Sequence, residues 1–249
     1  MISNIFKGSG RVFALLLFVV CAACAQTGTN RKENKSNMST AEKAPVESAA
    51  PVAYAALGDS TGVGVGARKG GGYVARLFER IRKERPGSRV TNLCVSGATT
   101  EDVLREQLGP AIRSRPTLVT LGIGINDIGH GMTAERFSRN YEQIVRRLKE
   151  ETAASVVVTN VPDISLAPVV PAGSREETRR RVTLFNEKIE EVAARYGLAV
   201  VDTYSETHKV IPDHPEFFSE DGFHPSDEGY EYWARTMWPA VKRAAGIKD

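Results

Sequence analysis

The residues best suited to chemistry in this sequence are a serine early in its globular part and an aspartate and histidine near its end. Ser60 lies in Gly-Asp-Ser-Thr-Gly, directly after an apolar run, and Asp221 precedes His224 by three residues. A serine hydroxyl is a weak nucleophile until a base accepts its proton, and a histidine does this best when a carboxylate fixes its tautomer. These residues therefore indicate a serine hydrolase.

A serine hydrolase also needs hydrogen-bond donors for the negative charge that develops on the substrate carbonyl oxygen. We expect these donors to be the backbone N–H groups of Ser60 and Gly97 and the side-chain amide of Asn126. Glycine leaves room for close approach to its backbone, and an asparagine amide donates, whereas the ionised carboxylate of the neighbouring Asp127 only accepts. A serine, glycine or asparagine at the end of a strand is commonplace alone, so the prediction of a hydrolase depends on the joint occurrence of these residues.

The pattern of apolar residues predicts the elements that position these side chains. Short apolar runs alternate with helical stripes of apolar residues spaced three and four apart, which is typical of a parallel sheet covered by helices. We therefore predict a three-layer α/β/α sandwich, in which sites form beyond the carboxyl ends of the strands. The predicted strands are 53 to 58, 90 to 95, 117 to 123, 155 to 161 and 198 to 202.

Two of the predicted helices carry further local signals. Ser174 and Glu177 have the spacing of a capping box, in which the two side chains satisfy free N–H groups at the first turn of a helix. Tyr230, Trp233 and Met237 form the apolar stripe of the last helix and are predicted to lie in the core.

Four short blocks together resemble the SGNH hydrolases, also called GDSL esterases and lipases. In family order they are Gly58-Asp59-Ser60, the glycine of Ser96-Gly97-Ala98-Thr99, Gly124-x-Asn126-Asp127 and Asp221-x-x-His224. The resemblance implies that family's flavodoxin-like fold, with Ser60 as nucleophile, His224 as base and Asp221 as its orienting carboxylate. Gly97 and Asn126, with the Ser60 amide, would form the oxyanion hole.

The resemblance also implies an activity. It is cleavage of carboxylic esters, namely acyl or acetyl esters of a lipid, a sugar or a small alcohol, through an acyl-Ser60 intermediate and without metal or organic cofactor. At Thr61 the sequence departs from the family pattern, which has Leu there, and this difference affects the shape of the pocket floor. An acyltransferase of the same fold and a catalytically silent envelope-binding lipoprotein remain alternatives.

The N-terminal region has the layout of an export signal. Residues 1–24 contain Lys7 and Arg11, then an uncharged and mostly apolar stretch that is shorter than the roughly 20 residues of a membrane-spanning helix. The sequence before Cys24 resembles a bacterial lipobox, whose cysteine is lipidated, and the competing possibility is ordinary cleavage before Gln26. We expect an exported lipoprotein with a membrane anchor, facing the periplasm or the cell exterior.

The rest of the chain divides into a tether and one domain. Residues 25–51 contain few large apolar side chains, so we predict a disordered tether there and the hydrolase domain at 52–249. The whole chain of 249 residues is 41% hydrophobic and carries a net charge of only +3. This composition is typical of a globular protein and gives no indication of a nucleic-acid partner.

Overall fold

The computed structural model describes residues 50–248, which form a parallel sheet of five strands in the order β2-β1-β3-β4-β5. This is the strand order of flavodoxin-like folds, and it confirms the predicted three-layer α/β/α sandwich. The predicted export signal, Cys24 and nearly all of the predicted tether lie outside the described residues. The strands are β1 (Ala53–Gly58), β2 (Arg89–Asn92), β3 (Leu118–Gly122), β4 (Ser155–Thr159) and β5 (Ala199–Val201).

Helices cover both faces of the sheet. A π-helical turn, Val103–Gln107, joins the third helix to the fourth. Within residues 50–248, no helix is long and apolar enough to cross a membrane. The helices are α1 (Ser60–Val63), α2 (Tyr73–Glu84), α3 (Thr100–Asp102), α4 (Leu108–Arg113), α5 (Ile125–Gly129), α6 (Ala134–Glu151), α7 (Arg175–Tyr196), α8 (Thr203–Val210) and α9 (Asp227–Ala244).

The alternation of side chains along β1 separates two apolar cores. Tyr54 and Ala56 pack with α2 and α9 on one face, and Ala55 and Leu57 pack with α4, α6 and α7 on the other. Successive residues of a strand point to opposite faces, so a strand buried on both sides is apolar throughout. Burial on both faces fixes the strand, and with it the position of the residues that follow Gly58.

Several local predictions differ from the structure: β3, β4 and β5 each end one or two residues earlier than predicted, and two further differences have a local cause. Ser174 does not form the predicted capping box, because its backbone is already helical at the end of a 3₁₀ turn and its side chain makes no cap hydrogen bond. The second strand ends at Asn92 rather than at 95. There the Asn92 side chain accepts a hydrogen bond from the Cys94 N–H and donates one to the Gly62 carbonyl, while the N–H groups of Leu93 and Val95 still donate to carbonyls of β1.

Candidate active site

Ser60 begins helix α1 immediately beyond the carboxyl end of β1. Asp59 caps this helix, and its carboxylate accepts hydrogen bonds from the Thr61 N–H at 3.0 Å and the Thr61 hydroxyl at 2.8 Å. Burial raises the pKa of Asp59, while the hydrogen bonds from Thr61 act in the opposite direction. The hydroxyl of Thr61, at the position where the resemblance predicts Leu, is thus hydrogen-bonded to Asp59.

His224 joins Ser60 to Asp221 across the long sequence interval between them. Its Nε2 lies 2.9 Å from Ser60 Oγ, and its Nδ1 lies 2.6 Å from Asp221 Oδ2. An ionised carboxylate only accepts hydrogen bonds, so Nδ1 carries the proton and Nε2 is left to accept from the serine hydroxyl. The three side chains therefore have the polarity that a nucleophile, a base and an orienting carboxylate require.

Asp221 is held by its own loop. Its carboxylate accepts hydrogen bonds from the backbone N–H groups of Phe223 and His224, at 2.8 and 2.9 Å, and from the Ser219 hydroxyl at 2.9 Å. Burial acts to raise the pKa of Asp221, but the hydrogen bonds from His224, Phe223 and Ser219 outweigh it and hold the pKa well below the usual carboxyl range. Asp221 is therefore an anion at neutral pH.

The three predicted oxyanion donors follow three neighbouring strands. Ser60 follows β1, Gly97 follows β2 and Asn126 follows β3, and these strands are adjacent in the sheet. Within residues 50–248, neither the Ser60 nor the Gly97 N–H has an acceptor. Gly97 has a φ of +80°, which favours glycine, and a Cβ built there would meet no atom within 4 Å. Gly97 is also an exposed residue, so a substrate can approach its backbone closely.

Two contacts fasten the Gly97 loop to the loop of Asn126. One amide hydrogen of Asn126 is donated to the Ala98 carbonyl at 2.9 Å. The carboxylate of Asp127, which is fully buried, accepts the Thr100 N–H at 3.0 Å and the Thr100 hydroxyl at 2.5 Å. Asn126 keeps a second amide hydrogen for a ligand, and Asp127 positions the loop.

Gln107 supports the residue at the end of β1 that precedes Asp59 and Ser60, and this role was not predicted from the sequence. Its side-chain amide makes two hydrogen bonds to the backbone of Gly58: the carbonyl accepts the Gly58 N–H at 2.9 Å, and the NH₂ group donates to the Gly58 carbonyl at 2.8 Å. It lies on the π-helical turn, a local irregularity that is frequent at functional sites. The sequence feature that could have indicated this role is the polar side chain of Gln107 between Val103 and Leu108, two residues of an apolar helical stripe.

The rim of the site is anchored at the first turn of α9. The Asp227 carboxylate accepts hydrogen bonds from the backbone N–H groups of Arg68 and Lys69, at 3.2 and 3.0 Å. It also pairs with the guanidinium of Arg76 at 2.9 Å. The glycine-rich segment that follows Ser60 is therefore fastened to the helix that follows His224, which couples the two ends of the site.

A serine, a histidine and an aspartate joined by hydrogen bonds at the carboxyl edge of a parallel α/β sheet have the arrangement that a serine hydrolase requires. A model of the GDSL-like lipase/acylhydrolase family matches residues 56–232, and the chain belongs to this family. The predicted family and enzyme class, a carboxylic ester hydrolase, are thereby confirmed.

Relatives of known name are distant but cover most of the chain. Esterase TesA of Pseudomonas aeruginosa is 25% identical over 75% of this chain and 86% of its own length. The acetylxylan esterase of Geobacillus stearothermophilus is 25% identical over 68% of this chain and 80% of its own length. The crystal structure of a lipase/acylhydrolase from Enterococcus faecalis superimposes with a TM-score of 0.63 at 25% identity, covering 77% of this chain and 96% of that one.

Proposed function

We propose that this enzyme hydrolyses carboxylic esters through a covalent acyl intermediate on Ser60. The observation that carries the proposal is the continuous hydrogen-bonded series from Ser60 Oγ through the His224 ring to the Asp221 carboxylate, with separations of 2.9 and 2.6 Å. His224 Nε2 accepts the serine proton as Oγ attacks the ester carbonyl carbon. The protonated ring then returns that proton to the departing alcohol.

Deacylation uses the same groups in reverse. A water molecule gives its proton to His224 Nε2 and attacks the acyl carbon, and Ser60 Oγ leaves with the proton from the ring. Asp221 stabilises the imidazolium in both halves and stays ionised. In each tetrahedral intermediate, the former carbonyl oxygen accepts hydrogen bonds from the Ser60 and Gly97 N–H groups and the free amide hydrogen of Asn126.

Replacing Ser60 tests the nucleophile. Ser60→Ala should lower kcat/KM for a small aryl acetate by at least about 10⁴-fold, because it removes the hydroxyl that is hydrogen-bonded to His224 Nε2. Ser96→Ala, which removes an exposed serine beside Gly97, is the matched control and should retain activity. Activity of Ser60→Ala within a few-fold of the wild type would eliminate Ser60 as the nucleophile.

The base is tested by combination with the nucleophile. His224→Ala should be about as damaging as Ser60→Ala, and the double variant should be no worse than either, because members of one catalytic unit act in the same step. Additive losses in the double variant would argue against a shared step.

The site of action is proposed from the N-terminal sequence. The basic and apolar composition of residues 1–24 and the lipobox-like sequence around Cys24 support an exported enzyme anchored by a lipidated cysteine. A cysteine that carries several acyl chains binds membranes stably, which a single chain does not. The hydrolase domain would then meet its substrates outside the cytoplasmic membrane, at the end of the tether 25–51.

A further inference from the structure

A largely apolar cleft opens beside the histidine of the candidate active site. It is partly open to solvent and lies between the loop after β4, helix α8 with the turn that follows it, and the first turns of α9. His224 lines one end, together with Thr61 and Ile125, the chain neighbours of Ser60 and Asn126. Its apolar walls include Ile164, Val210, Ile211, Phe217, Phe223 and Trp233.

The hydroxyl groups in the cleft walls are already hydrogen-bonded within the protein. Thr203 donates to the Asn160 carbonyl at 2.5 Å, Thr207 donates to the Thr203 carbonyl at 2.7 Å, and Tyr232 donates to Glu206 at 2.7 Å. Their hydrogens are therefore already used within the protein and cannot be donated to the hydroxyl groups of a sugar. A ligand in this cleft gains mainly by removing apolar surface from water.

The other side of the histidine loop is polar. There a wide and open depression is lined by Arg68, Lys69, Glu220 and Glu228, together with Asp221. A polar alcohol portion of an ester can lie toward this side and remain hydrated. The apolar cleft therefore favours the hydrocarbon part of an ester, and the polar depression favours its polar part.

We propose that the apolar cleft binds the acyl chain of the substrate, so that this enzyme acts on esters of medium-length or longer fatty acids in preference to acetyl esters. The inference rests on the proposed function, because it takes Ser60 as the atom that attacks the acyl carbon. Each methylene transferred from water into the cleft strengthens binding by up to about fourfold. An acetyl group has a single methyl and leaves most of the cleft unused.

The test is an acyl-length series with a constant leaving group. We expect kcat/KM for 4-nitrophenyl octanoate to exceed that for the acetate by at least about tenfold, measured below the critical micelle concentration. Ile211→Trp should fill the cleft and reduce the octanoate-to-acetate ratio by about tenfold. Ile211 belongs to neither buried core cluster, which makes the replacement tolerable.

Leu184→Trp is the matched control. It places the same indole on the exposed face of α7, where Leu184 is 43% exposed, and should leave the ratio unchanged. Val210→Phe, at the preceding residue of the cleft wall, is a second variant for use if Ile211→Trp does not fold. It should shift the ratio in the same direction.

Three results would overturn the acyl assignment. The first is a wild-type preference for acetate, and the second is an octanoate-to-acetate ratio that both folded cleft variants leave unchanged. The third is found with a series of acetate esters of alcohols of increasing length: activity that rises with the length of the alcohol in the wild type, but not in Ile211→Trp. Failure of the proposed function is a separate result, since Ser60→Ala would then retain activity on every ester regardless of acyl length.

Discussion

Removal of the Asn126 side chain tests the proposed oxyanion hole most informatively. Its amide has two hydrogens, of which one is donated to the Ala98 carbonyl at 2.9 Å and the other is free for a ligand. Asn126→Ala should therefore have two separable effects. Loss of the Ala98 contact should lower stability, and loss of the free hydrogen should lower turnover.

The two effects differ in size. One hydrogen bond between protein groups contributes about 1 kcal/mol to the free energy of unfolding. A preorganised oxyanion donor contributes about 3 to 4 kcal/mol to transition-state stabilisation, so turnover should fall about 100- to 1,000-fold. The charge on the oxygen develops only in the transition state, so KM should change much less than kcat.

The assay is steady-state hydrolysis of a soluble aryl ester, combined with urea unfolding of the same preparations. Asn140→Ala is the matched control, because Asn140 donates to the Thr100 hydroxyl at 3.1 Å and supports the same loop without facing the proposed oxyanion. It should lose similar stability and keep most of its turnover. An Asn126→Ala variant with normal kcat, or one whose loss matches that of Asn140→Ala, would refute the oxyanion role.

Three further predictions concern the supports of the site and the N-terminus. Gln107→Leu should lower the free energy of unfolding by about 1 to 3 kcal/mol in urea titrations, because it leaves the buried Gly58 N–H without an acceptor, whereas Gln143→Leu on the exposed face of α6 should be neutral. Since the folded-state pKa of Asp221 is lowered, its ionisation should stabilise the fold above about pH 4, and this contribution should disappear as the pH falls through the lower folded value. The stability difference between wild type and Asp221→Asn should accordingly shrink from pH 7 to pH 3, and a difference that grows would contradict the assignment. Cys24→Ser should move the protein out of the membrane fraction of a Gram-negative host, and a wild-type mature chain that begins at an unmodified Gln26 by mass measurement would disprove lipidation.

The sequence was sufficient to predict the sheet and the meeting of the site residues because both follow from short-range patterns. Short apolar runs marked the strands, and Ser60, Gly97 and Asn126 each follow one of three neighbouring strands at the carboxyl edge of the sheet. Asp221 and His224 were predictable as a pair because three residues separate them. Their contact with Ser60 depends on the placement of α9, which its apolar stripe also indicated.

The supports and the cleft could not be predicted because they depend on contacts between distant segments. Gln107 lies within an apolar helical stripe, and only the structure shows that its side chain is hydrogen-bonded to the backbone of Gly58. Helix α8 was not predicted because its sequence has few apolar residues, although Asp202 caps it by accepting the Ser205 N–H at 3.0 Å. Trp233 was predicted to be a core residue; it stacks on Tyr73 at 5.6 Å and also lines the apolar cleft.

The most direct test of the central claim is stoichiometric labelling with an organophosphonate, followed by intact-mass measurement and peptide mapping. We predict one adduct per chain, located on Ser60, with loss of esterase activity in proportion to labelling. Ser60→Ala should remain unlabelled, and Ser96→Ala should be labelled like the wild type. An adduct on another residue, or full labelling of Ser60 with esterase activity retained, would contradict the acyl-Ser60 mechanism.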